Sequence, residues 1–334
     1  MKYADPLLSV IILAYNQQDY IEKCLDYVVN QNTDFIFEVI IGEDCSVDNT
    51  REIIFEYKKK YPRLINVITS SENVGLIKNF IRCLNIAKGK YIAICGGDDY
   101  WFDKNKLQKQ VDIFTIYQDV SLVHTNFDVF YVTNKLIEKK IIKYDHICKR
   151  ETEYGVSSIV AELSGMFRPV KASTIVFIRE YLVSAYQKDH NIFDDRPCED
   201  IQICYEMGLR GRFFFIDEST TIINCIPNSL SFQSDAEKRL EFMASIFDLN
   251  LFYIKKYKIQ KDVVRIYCKR AVHCILHLGL EVSNTSNIVH SVKDAVKYGY
   301  TLSFRQKVLY CCVLNKRLKI IYCFINRVRK ISIL

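Results

Sequence analysis

The sequence predicts an α/β fold: a mainly parallel sheet flanked by helices, continued by a helical C-terminal extension. Three observations carry this. Short apolar runs alternate with amphipathic segments from residue 7 to about residue 125. Polar and acidic residues gather directly after those runs, and beyond Asn228 the pattern becomes long-period and helical.

The runs Leu7–Leu13 (LLSVIIL), Phe37–Ile41 (FEVII), Ile65–Thr69 (INVIT) and Tyr91–Cys95 (YIAIC) are short and apolar on both faces, as strands buried in a parallel sheet require. Between them, Ile21, Cys24, Leu25, Val28 and Val29 share one helical face, and Ile53, Ile54 and Tyr57 another, the latter after the helix-starting residues Ser46 and Asp48. Such alternation implies βαβ units, whose ligands bind beyond the carboxyl ends of the strands. Ser173–Ile178 reads as a strand, Glu199–Gly208 as a helix, and Arg212–Ile216 and Thr220–Cys225 as a strand pair. Helices are expected over Ala236–Lys256 and Lys261–Leu280, with a basic helical segment from Phe304 to the end. The predicted division is one α/β domain over 1–230 and a helical extension over 231–334.

Composition narrows the classes. An apolar fraction of 49% with only 11 Gly and 5 Pro describes a packed chain without long linkers. The 13 Cys are scattered, with one adjacent pair and no C-x-x-C, so neither a zinc knuckle nor a disulfide framework is expected, and a reducing cytoplasm fits. No stretch reaches the ~18 uninterrupted apolar residues of a membrane span. The net charge of +7 is smaller than the eight cations after Tyr300, where there is no Asp or Glu, so the rest of the chain is about neutral and nucleic acid is not an expected partner.

Three strand ends bear the chemistry: Tyr15-Asn16, Glu43-Asp44 and Asp98-Asp99. Carboxylates gathered at one sheet edge repel one another and raise their own pKa values. A divalent cation relieves that, and Mg²⁺ binds through one or two carboxylates while phosphate oxygens and water complete its shell. Gly96-Gly97, lacking Cβ atoms, leaves room for a ligand to approach the backbone. Each acidic pair alone is compatible with an ordinary turn or helix start, Glu199-Asp200 included.

Taken in order, Ser9–Ile12 through Tyr15-Asn16, Glu43–Thr50, Asn73-Val74-Gly75, Ala87–Ile92, Gly96-Gly97-Asp98-Asp99-Tyr100-Trp101 and Glu199-Asp200 resemble the family 2 inverting glycosyltransferases of GT-A fold. The resemblance runs from Leu7 to Ser231 and is dense in its first half. It implies a nucleotide-sugar-binding half over 1–120 and an acceptor half over 121–230. The donor nucleotide site is expected to draw on Ala14, Tyr15, Asn16, Glu43, Asp44, Lys78, Gly97 and Asp98, and the resemblance implies that Tyr15 and Asp44 lie against base and ribose. A divalent metal, Mn²⁺ or Mg²⁺, would sit on Asp98, helped by Asp99. Asp200, beside Glu199, would be the general base that takes the acceptor hydroxyl proton, while the metal stabilises the departing diphosphate. The partners implied are a nucleotide-diphosphate sugar and a saccharide or lipid-linked acceptor of bacterial surface polysaccharide synthesis.

This chain departs from the family pattern twice. Gly96 replaces the first acid of the D-x-D element, and Asn224–Ser229 stands where many relatives carry a cationic pair that holds phosphates. Lys78 and Arg82 are candidate substitutes for that cation; both equally suit a solvated helix face. Ser173-Thr174 suits plain strand residues as well as a border of the acceptor site. His273 and His277 share a helix face without a third ligand nearby in sequence, and Trp101 reads as a wall or core residue. Leu309, Val313, Leu318, Ile321, Tyr322, Ile325 and Val328 form an apolar stripe beside the tail's cations. That stripe suits either docking on the protein or a helix lying on an anionic membrane, which would place the protein peripherally on the inner face of the cytoplasmic membrane. A sugar-phosphate nucleotidyltransferase lacks its Gly-rich basic loop here, a dinucleotide dehydrogenase lacks G-x-G-x-x-G, and an inactive GT-A binding protein is the reading that Gly96 motivates.

Overall fold

The computed structural model describes residues 5–142, 170–194, 197–227, 229 and 233–331. Contacts divide the chain into two compact units, one reaching Ile226 and one from Pro227 on. Residues 143–169 of the expected acceptor half lie outside the described residues.

In the first unit, β1 (Leu8–Ala14), β2 (Phe37–Glu43), β3 (Ile65–Ile68) and β4 (Tyr91–Gly96) alternate with α1 (Ile21–Val29), α2 (Thr50–Lys60) and α3 (Leu76–Ile86). All four strands pair in parallel, in the order β3-β2-β1-β4. Every residue of β1 is buried, which is why its sequence is apolar without alternation. Register then positions the chemistry. Ala14 lies opposite Glu43, and Leu13 opposite Gly96, so Tyr15, Asp44 and the run after Gly96 all leave the sheet at one edge.

Beyond β4 come β5 (Tyr100–Trp101), α4 (Lys106–Ile116), β6 (Val120–Tyr131), β7 (Leu136–Glu138), β8 (Ile175–Ile178), α5 (Arg179–Lys188), α6 (Asp200–Gly208) and β9 (Arg212–Cys225). The sheet continues as β4-β8-β6-β9-β5, with β7 on β6. β8 runs antiparallel to β4 and β6, whereas β6 and β9 are parallel. The sheet is therefore parallel in its first four strands and mixed beyond them. The strand pair expected at 212–216 and 220–225 is one strand, whose register against β6 slips near Asn126. Trp101 is fully buried and donates from Nε1 to the Ser173 carbonyl at 2.8 Å, a packing role. All 12 described cysteines are free, several buried in the core.

The second unit is helical: α7 (Ala236–Lys256), α8 (Lys261–Leu278), α9 (Ser286–Lys297), α10 (Phe304–Leu314) and α11 (Lys316–Ile331). α10 opens on a capping box of Ser303 and Gln306. The basic segment expected from Phe304 is thus two helices. Asn315 divides them, its Oδ1 accepting from the N–H groups of Arg317 and Leu318 at 3.0 and 3.2 Å. Among the described residues no helix is long and apolar enough to cross a membrane.

Candidate active site

Two loops at the carboxyl edge of the sheet are stitched together. The Asn16 N–H donates to Ser46 Oγ at 3.1 Å and the Val47 N–H returns to Asn16 Oδ1 at 2.9 Å. The Gln17 N–H donates to Thr50 Oγ1, the Gln18 N–H to Asp48, and the Asn49 N–H to Gln18 Oε1. Asn16 and Cys45 both take left-handed backbone conformations, φ 51° and 61°. Asn tolerates that region, whereas at Cys45 it is the stored strain that clusters at functional turns. The result leaves the Tyr15 ring 45% exposed at the end of a fully buried strand, a surface on which a base can stack.

Both acids of Glu43-Asp44 are buried and engaged. Glu43 accepts from Arg51 and from the Ser46 N–H, both at 2.6 Å. Asp44 accepts the N–H groups of Val74 and Gly75, each at 2.9 Å. The pair therefore ties the β2 end to the turn preceding α3, whatever else it contacts.

The acidic run is the most constrained part. The Asp99 N–H closes a turn onto the Gly96 carbonyl at 3.0 Å. Asp99 Oδ2 accepts from Ser173 Oγ at 2.5 Å and Oδ1 from the Asn224 N–H at 3.1 Å, while Ser173 Oγ accepts from the Gly96 N–H at 3.0 Å. The Asn224 amide donates to the Asp98 carbonyl. Burial raises the Asp98 carboxyl, and burial together with the Asp98 charge pushes Asp99 well above the carboxylate range. A Cβ at Gly96 would stand 2.8 Å from Asp98 Oδ1, and one at Gly97 2.2 Å from Gln17 Oε1. A side chain at either position would therefore press on Asp98 or Gln17, so both places favour glycine.

Glu199 caps α6 and is buried, whereas Asp200, the first residue of that helix, is partly exposed. Burial and the Asp200 charge push Glu199 up to about 7. Lys78 is exposed on α3. Arg82 donates to the Thr69 carbonyl, just beyond β3. The order β3-β2-β1-β4 puts that edge three strand spacings, about 14 Å, from the strand carrying the acidic run. Sequence reasoning missed Gln17 and Arg51, and gave Asn224 no role; Gln17 pairs with Thr50 and Asn224 with Asp98 and Asp99, partners far off in the chain that no local pattern announces.

Residues 9–171 match the Glycosyl transferase family 2 model. The fold is similar to that of Staphylococcus aureus TarS 1-349 in complex with UDP-GlcNAc, at TM-score 0.61 and 18% identity over 93% of this chain and 87% of that one. It is also similar to the mannosyltransferase PcManGT from Pyrobaculum calidifontis in complex with GDP-Man and Mn²⁺, at TM-score 0.51 and 16% identity over 95% and 83%. Among curated proteins, the putative teichuronic acid biosynthesis glycosyltransferase TuaG of Bacillus subtilis is 41% identical over 107 residues, 32% of this chain and 41% of its own length. An uncharacterized protein of Mycobacterium tuberculosis (strain ATCC 25618 / H37Rv) is 46% identical over 104 residues, 31% of this chain and 30% of its own. The matches to those two relatives thus span less than half of each. The first unit has the GT-A fold, and its residues 9–171 are similar to the glycosyltransferases of family 2.

Proposed function

We propose that the protein is an inverting glycosyltransferase that moves a sugar from a nucleotide-diphosphate donor to a saccharide or lipid-linked hydroxyl, in the synthesis of a bacterial surface polysaccharide. The observation that carries this is the register that brings Tyr15, Asp44 and the Asp98-Asp99 run to one sheet edge. The exposed Tyr15 ring receives the base, and Ala14, Asn16, Glu43, Asp44, Lys78 and Gly97 frame the nucleotide. Relatives and neighbours named for teichuronic acid synthesis and for UDP-GlcNAc or GDP-Man complexes support the substrate class.

A divalent cation fits the acidic run, because two adjacent desolvated carboxyls with raised pKa values are relieved by a positive charge. Asp98 would hold Mn²⁺ or Mg²⁺, with Asp99 reaching it through water. Such an ion stabilises negative charge on the leaving diphosphate. Asp200, partly exposed at the start of α6, takes the proton of the attacking hydroxyl, and buried Glu199 supports it. Residues 1–120 form the nucleotide-sugar half and 121–230 the acceptor half. The protein works in the cytoplasm, held at the inner membrane face by its basic tail.

Isothermal titration with UDP and GDP, with and without Mn²⁺, tests this reading. Metal-strengthened binding of one nucleotide is expected, and Asp98→Asn should abolish the strengthening. Absence of binding with any divalent metal overturns it.

A further inference from the structure

The helical unit brings together metal-ligand side chains that the linear sequence keeps apart. His290 and Asp294 stand four residues apart on α9 and so share a face. α7 sets Asp248 against them. His290 Nε2 lies 3.4 Å from Asp294 Oδ2 and 3.8 Å from Asp248 Oδ2, and ligand atoms of the three residues all lie within 4.8 Å of one another.

Two features separate this arrangement from an ordinary ion pair. The separations exceed the about 2.7–2.9 Å of a charge-assisted N–H···O bond. They approach instead the spacing of ligand atoms that surround one tetrahedral cation at about 2.0–2.2 Å, which is about 3.4 Å along each edge. Ser291 supplies the second feature. It stands three residues before Asp294, about 60° around α9 from it on the inner side. Ser291 is fully buried, and its Oγ has no hydrogen-bond partner among the described residues. Such a hydroxyl costs free energy where it stands. Once a cation fixes the Asp294 carboxylate one turn away, Ser291 can donate to the oxygen that the ion leaves over, as partners of ligating carboxylates do.

We propose that Asp248, His290 and Asp294 form a binding site for a divalent cation of the zinc kind, with water as fourth ligand, and that the bound ion ties α7 to α9. The imidazole nitrogen selects such an ion over Mg²⁺ or Ca²⁺, which take oxygen ligands. The two carboxylates balance its charge, and neutral His290 offers the lone pair of Nε2. All three side chains are partly exposed, at 29–62%, so the ion enters from solvent without opening the fold. The site lies wholly in the helical unit and shares no residue with the acidic run, so it is independent of the glycosyltransferase reading.

The test is calorimetric titration of the 334-residue chain with Zn²⁺ after treatment with EDTA and dialysis. His290→Gln and Asp294→Asn should each lose one equivalent of zinc that the wild type binds. Ser291→Ala should weaken that equivalent about tenfold, the lower end of what partners of metal ligands contribute. The equivalent should remain in Asp98→Asn and in His273→Gln, which separates it from the acidic run and from the histidine pair on α8. Because binding to the folded state alone stabilises it, zinc should raise the thermal midpoint of Asp98→Asn but not of Asp98→Asn combined with His290→Gln. The metal-free midpoints of those two should agree, which shows that the second folds. Zinc binding unchanged in both His290→Gln and Asp294→Asn, or an equivalent lost in His273→Gln instead, overturns the proposal and leaves the cluster a surface ion pair.

Discussion

Asp200 starts a helix with its carboxyl partly exposed, while the preceding Glu199 is buried and pushed up to about 7. Of the two neighbouring carboxyls, the partly exposed Asp200 is the one that a substrate hydroxyl can reach. Asp200→Asn keeps the shape and removes the proposed proton acceptor. Nucleotide affinity should stay within about twofold and transfer should fall by about 10²–10⁴, the usual worth of a general base. Transfer at the wild-type rate in a coupled nucleotide-release assay would remove Asp200 from that role. Asp99 illustrates the opposite assignment. Both of its oxygens already accept hydrogen bonds from Ser173 and Asn224, so its first task is to shape the loop from which Asp98 projects.

The same loop rests on α4, whose first residue is the fully buried Lys106. Its Nζ donates to Gln110 Oε1 at 2.5 Å and lies 4.5 Å from the centre of the Trp101 ring. Burial lowers its pKa to about 7, and a cation in the first turn opposes the helix dipole as well. The folded protein thus releases a proton that the unfolded chain keeps up to about 10.4. Between pH 7 and that value the unfolded state binds more protons, so stability rises with pH across the window. Lys106→Met should raise the thermal midpoint at pH 7 by a few degrees, about 1–2 kcal/mol after the lost Gln110 bond, and flatten the alkaline rise. A midpoint lower at pH 7 and equally pH-dependent would refute this. At this scale the sequence was legible where local pattern decides. β1 to β4 show as apolar runs, and their ends carry Tyr15, Asp44 and Asp98. The illegible parts depend on distant pairing: β5 is two residues long and exists through β9, while Ser173 acquires its meaning only across 74 residues from Asp99. The break at Asn315 was missed for a smaller reason, since one capping side chain ends what reads as a continuous apolar stripe.

For the molecule as a whole, the excess charge lies in one place. The eight cations after Tyr300 exceed the net charge of +7, and the tail stripe read from sequence splits in two. Leu309 and Val313 are buried in the helical unit, so that half of the stripe docks on protein. Leu318, Ile320, Ile321 and Phe324 on α11 are 43–68% exposed. Lys319 is engaged, its Nζ donating to the carbonyls of Gly279 and Val282 at 3.0 and 2.5 Å, which fixes α11 at its base. An apolar face flanked by Lys316 and Arg317 on a helix anchored at one end suits an anionic lipid surface, where burial of the side chains and attraction of the cations act together. The wild type should sediment with phosphatidylglycerol vesicles at low salt and less at high salt, because screening weakens only the charged part. The combined substitution Ile320→Gln, Ile321→Gln and Phe324→Gln should release it even at low salt, with the fold of the helical unit unchanged by circular dichroism. Sedimentation equal to wild type would assign α11 to a protein contact instead of a lipid one.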